Sequence, residues 1–104
     1  MVFAIVVSAA GVADMAAALD VAHAAILGGH EVGLFVMSEA VGELVARAGD
    51  LAALTDGGAQ VWACATSVEA MAVSGPWADS GIALGSQDDH AALVHRADRV
   101  VAFT

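Results

Sequence analysis

VFAIVVSAAG, Val2–Gly11, begins with an unbroken apolar run rich in β-branched residues and ends in small and polar ones. Such a short run, bounded by Ser8 and Gly11, reads as a strand buried on both faces, the kind found at the centre of a parallel sheet. The pattern then changes period. Val12 to Leu27 carries an apolar stripe at Met15, Leu19, Ala22, His23 and Ile26, with Asp14 and Asp20 elsewhere, which predicts a helix stopped by Gly28-Gly29.

The same alternation repeats along the chain. His30 to Met37 is a second strand. Ser38 is placed to cap a helix from Glu39 to about Ala48, ended by Gly49, with a short helical turn over Leu51 to Thr55. Gln60 to Ala65 is a third strand. Thr66 and Glu69 have the spacing of a capping box for a short helix over about Ser67 to Val73. SGPWADSG, Ser74 to Gly81, is a loop by composition, Ile82 to Leu84 a short strand, Gln87 to Ala97 a last helix opened by Ser86 and Asp89, and Arg99 to Phe103 a final strand. Strands alternating with helices imply a single α/β domain over residues 1–104. It would have three layers: a mostly parallel five-stranded sheet with helices on both faces and a flavodoxin-like order.

Composition narrows the function. The chain has 104 residues, is 60% hydrophobic, and has a net charge of −9 with three arginines and no lysine. Phosphate backbones need clustered Lys and Arg, so nucleic acid is excluded as a partner, and anionic membrane surfaces with it. Without lysine there is neither a P-loop lysine nor a Schiff base. SAAGVA stands where a dinucleotide-binding turn would need G-x-G-x-x-G, and no nucleophile elbow is present. MVFAIVV lacks a basic n-region, so it does not read as a signal peptide, and no apolar run reaches the ~18 residues of a membrane span. A cytoplasmic protein is the expectation. A small domain with this much apolar surface is also expected to bury part of it against other subunits.

Cys64 is the only cysteine, which rules out an internal disulfide and a CxxC motif. In open parallel sheets ligands bind at the carboxyl ends of the strands. That edge is supplied by Ser8 to Gly11, Met37 to Glu39, Cys64 to Ser67, Gly85-Ser86 and Thr104. Cys64 lies there, just ahead of a helix N-terminus, whose partial positive charge favours a thiolate. Against this, free cysteine packs as a small hydrophobe, so position alone leaves a structural and a reactive role both open. No arginine follows Cys64 to make a phosphatase or rhodanese loop.

The histidines read as follows. His23, on the apolar stripe of the first helix, is expected to be packed with one hydrogen bond. His30 sits in the turn after Gly29. His90 and His95 do not share a helical face and make a weak metal pair. Trp62 shares a strand face with Cys64, either as core or as an apolar wall beside the thiol. Trp77, after Pro76, either anchors its loop or marks a contact surface.

Phe3–Val7 (FAIVV), Gly29–Val32 (GHEV) and Ala97–Phe103 (ADRVVAF) resemble the first strand, the turn into the second strand and the closing strand of the DsrE/TusD-like, or DsrE/DsrF-like, sulfur-relay proteins. VWACATS resembles their cysteine segment, with Cys64 on the sulfur-accepting position. The resemblance runs along nearly the whole chain. It implies a compact α/β domain in a homo-oligomer, a trimer or hexamer. It also implies sulfane sulfur held on Cys64 as a persulfide and handed to a small carrier of the TusA or DsrC type, with no cofactor. The anion would be stabilised by the N–H groups of Ser67 and Val68, helped by the Thr66 and Ser67 hydroxyls. The chain departs from those proteins in being shorter between the second and third strands and in having Glu69-Ala70 where a basic pair stands in them. The alternative is a non-catalytic assembly or binding module with a structural Cys64; a weaker third is a flavodoxin-like small-ligand binder at Ser8–Gly11 and Ser38.

Overall fold

Five strands form one all-parallel sheet in a computed structural model that describes residues 1–9 and 11–104, and the backbone alone at Pro76 and Ala78. The strands are β1 (Val2–Val7), β2 (Glu31–Val36), β3 (Gln60–Cys64), β4 (Ala83–Gly85) and β5 (Arg99–Phe103). The helices are α1 (Val12–Leu27), α2 (Ala48–Asp56), α3 (Ala65–Ala70) and α4 (Gln87–Arg96). The segments Ser38–Glu43 and Pro76–Ser80 are 3-10 turns.

The strand order is β4-β3-β2-β1-β5. This confirms the parallel α/β class but replaces the expected flavodoxin-like order, which runs 2-1-3-4-5. The physical cause is the sense of the crossovers. Each of the first three connections moves one strand further in the same direction, so right-handedness puts their helices on one face. Only the last connection reverses. α4 carries the chain back across the opposite face, and β5 pairs with the free edge of β1, Ile5 beside Val101.

Strand alternation divides the core accordingly. One face presents Ile5, Val7, Leu34, Val36, Val61 and Ala63, packed under Met15, Ala18, Leu19 and Ala22 of α1 and Leu51 and Leu54 of α2. The other face holds a small cluster, Ala4, Phe35, Cys64 and Leu93, with Met37, Trp62 and Ala97 partly buried around it. α4 is the helix over this face. It seats closely because Gly33 has no side chain: a Cβ there would collide with Leu93 Cδ1. Arg96, in the last turn of α4, donates to Glu31 Oε2 at 2.7 Å and to Gln60 Oε1 at 3.1 Å, tying the far end of the helix to β2 and β3.

Several expectations change in detail. The segment after β2 does not form a continuous helix from Glu39 to Ala48 but a 3-10 turn followed by α2 over Ala48–Asp56. Ser38 caps nothing with its side chain; it stands at φ 53°, in the left-handed region. α3 starts at Ala65 with Cys64 itself as N-cap, and no Thr66 cap forms, because the strand passes into the helix without an intervening turn. Ser86 and Asp89 do form a reciprocal capping box at α4, with Asp89 N–H donating to Ser86 Oγ at 3.3 Å and Ser86 N–H to Asp89 Oδ2 at 2.8 Å. Trp77 is buried and anchors its turn. Of the expected edge segment Ser8–Gly11, Ala10 lies outside the described residues. No helix among the described residues is long and apolar enough to cross a membrane.

Candidate functional site

Cys64 ends β3 and is paired with Gly85 of β4. This places its thiol at the carboxyl edge of the sheet, on the face crossed by α4. The residue is 4% exposed and packs with Phe35 and Leu93. Gly85 is needed here: a Cβ at that position would sit 3.0 Å from both Phe35 and Trp62. Trp62 thus forms a partly buried apolar wall beside the thiol, its ring centroid 6.4 Å from that of Phe35.

Polar groups reach the sulfur from two helices. Gln87, at the start of α4, donates through Nε2 to Cys64 Sγ at 3.6 Å. From α3 come the Ser67 hydroxyl and the N–H groups of Ser67 and Thr66. No hydrogen bond of full capping geometry closes the first turn of α3, which leaves those N–H groups free to favour negative charge on the sulfur. Ser67 is itself oriented, since its Oγ accepts a hydrogen bond of 2.9 Å from the Ser38 N–H. The left-handed backbone at Ser38 is what directs that N–H, and such a conformation in a serine costs about 1–3 kcal/mol. Burial pushes the Cys64 thiol up, and this is the largest single influence. The Ser67 hydroxyl and N–H, the Gln87 amide and the Thr66 N–H oppose it, and together they bring the thiol below its ordinary value.

The expected site residues fall as follows. Cys64, Thr66 and Ser67 come together, Thr66 through its backbone. The backbone donors that act on the sulfur are those of Thr66 and Ser67, one residue earlier than the expected Ser67 and Val68 pair, and the Val68 side chain packs against the core on the opposite face. His23 is exposed rather than packed: it lines a shallow depression of about 250 Å³ with Asp20, Arg47 and Asp50, far in the sheet's other layer. His30 lies 3.2 Å from the N-terminal amine and beside the Phe3 ring. His95 is exposed on α4. Two residues of the site escaped the sequence reading. The sequence marks Gln87 only as the start of a helix, and His90, one turn on, places Nδ1 3.1 Å from Gln87 Oε1 and stacks on Phe35 with ring centroids 5.1 Å apart. The signal that could have found them is the Ser86 cap, which fixes Gln87 as the first helical residue directly after a strand edge.

A parallel α/β domain with a thiol at the carboxyl edge of its sheet defines the class of protein. The chain belongs to the DsrE/DsrF-like family, whose model matches residues 1–103. Solved structures agree in fold. The ychN protein from E. coli superposes with a TM-score of 0.80 at 21% identity over 98% of this chain and 97% of that one. A conserved protein of unknown function, BT1422 from Bacteroides thetaiotaomicron, gives 0.83 at 10% over 98% and 94%. MTH1491 from Methanobacterium thermoautotrophicum, also a protein of unknown function, gives 0.79 at 13% over 97% of each chain. No curated protein sequence matches the chain.

Proposed function

We propose that this protein is a sulfur-relay subunit that holds sulfane sulfur on Cys64 and passes it to a small sulfur-carrier protein of the TusA or DsrC type. The carrying observation is the convergence of donors from α3 and α4 on a single thiol at the carboxyl edge of the sheet. Membership of the family supports the same reading. In the first step the Cys64 thiolate attacks the outer sulfur of a donor persulfide. A new S–S bond forms to Cys64, the donor's S–S bond breaks, and the donor leaves as a thiolate. In the second, the acceptor's thiolate attacks the outer sulfur of the Cys64 persulfide. The sulfur leaves with the acceptor, and Cys64 returns as a thiolate, so no external oxidant or reductant is consumed. The Ser67 hydroxyl and the Gln87 amide favour the anion at the start and end of each transfer. With no second cysteine, the persulfide cannot be discharged by an internal disulfide. The relay would work in a reducing, cytoplasmic setting and within a trimer or hexamer.

One observation favours the other reading, an assembly module in which Cys64 is packing: the residue is only 4% exposed. Incubation with polysulfide followed by intact-mass measurement separates the two. A one-sulfur increment in the wild type that is lost in Cys64→Ser is the expected result. An unmodified wild type, or an increment that survives the substitution, overturns the relay.

A further inference from the structure

The side-chain amide of Gln87 is ambivalent: one end donates and the other accepts. Which end faces the sulfur decides whether it helps or opposes an anion there. In this structure Nε2 faces Cys64 Sγ and Oε1 faces His90 Nδ1. Both contacts are attractive only when His90 carries a hydrogen on Nδ1, as the neutral Nδ1–H tautomer or as the imidazolium. With the amide turned over, its carbonyl oxygen would point at the sulfur and repel a thiolate. The His90 ring is in turn held in place, stacked on the fully buried Phe35 with an interplanar angle of 25°. Phe35 belongs to the same small cluster as Cys64. The sequence Phe35, His90, Gln87, Cys64 is therefore one continuous chain of contacts, ending on the reacting atom.

We infer that His90 is a positioning residue: its Nδ1–H locks the Gln87 amide with the donor end on Cys64, so that the sulfur anion is held from α4 as well as from α3. The role rests on the relay reading for its purpose, but the geometry stands without it. His90 acts on the sulfur through Gln87.

The test uses the intact chain and the ultraviolet absorbance of the thiolate, titrated against pH. Because Cys64 is the only cysteine, the signal belongs to it alone. His90→Phe keeps a ring against Phe35 but offers no donor. His90→Asn keeps an N–H near the position of Nδ1. Gln87→Ala removes the amide. The expected result is that Gln87→Ala and His90→Phe each lower the thiolate-to-thiol ratio at a fixed pH by about two- to ten-fold, the worth of one hydrogen bond. The double variant should go no further than either alone, and His90→Asn should stay near the wild type. Overturning results are a His90→Phe curve that matches the wild type, effects that add in the double variant, or a His90→Asn curve as displaced as that of His90→Phe. No sulfur donor enters this titration, so it can fail while polysulfide loading succeeds, and succeed while loading fails.

Discussion

The two faces of the sheet are built on different scales. One carries α1, α2 and both 3-10 turns over a continuous core that includes Met15, Leu34, Leu51 and Leu54, all fully buried. Among the described residues the other carries α4 alone, which reaches the sheet through one fully buried side chain, Leu93. The sulfur sits on the second. The larger core lies under the face away from the thiol, while the cover over the thiol is a single helix. Stability and chemistry are in this way assigned to opposite faces of the same strands.

Substitutions can break that division. The largest effect is expected from Leu51→Ala on the thick face. Truncating a fully buried leucine there should cost about 2–5 kcal/mol, read as a lower urea midpoint. The Cys64 alkylation rate in the native state should barely change. Leu93→Ala should behave in the opposite way: a loss of about 2–3 kcal/mol, near the lower end because a one-helix layer can settle into the gap, together with faster alkylation of Cys64 by iodoacetamide. Equal alkylation rates in the two variants would erase the distinction between the faces.

A smaller effect sharpens the assignment of charge. The thiol lies below its ordinary value, so the alkylation rate of the native protein should rise with pH at a lower midpoint than that of the urea-unfolded chain. Ser67→Ala removes one donor and should move the midpoint upward. The sign for stability follows. A folded-state value below the unfolded one favours the native state as pH rises through the folded midpoint, and that gain is lost as pH falls back through it. The stability difference between wild type and Cys64→Ser should therefore grow toward alkaline pH. The smallest change is expected from Arg96→Ala. Its ion pair with Glu31 is exposed on both sides, and the loss should stay under about 1 kcal/mol, with reduced sensitivity to added salt.

Much of this architecture was legible in the sequence because local signals agreed with it. The bounds of α1 and β5 and the start of α4 coincide with their sequence reading, since the switch from a β-branched run to a 3.6-residue stripe, the Gly28-Gly29 stop and the Ser86 cap each act within a few residues. Residues 38–56 were less legible. Glu39 to Leu44 has helical composition, but the left-handed Ser38 and the approach of that segment to α3 tighten it to a 3-10 turn. Strand order was not legible at all, because it depends on which edge the last strand meets. Within the site, Cys64 was found from chain position. Gln87 and His90 were not, because only the pairing of Cys64 with Gly85 brings the head of α4 beside the thiol. The Thr66 cap failed for a related reason: the motif is local, whereas the start of α3 is set by where β3 stops pairing.

The missing side chain at Gly33 has a mechanical meaning. α4 spans ten residues, so it is a rod about 15 Å long. It rests on the sheet at the Gly33–Leu93 notch, is latched at its tail by Arg96, and carries Gln87 at its head. That makes the notch a fulcrum. A bulkier residue at position 33, two places before Phe35 on β2, would tilt the lever and lift its head from Cys64, detuning the thiol from a distance.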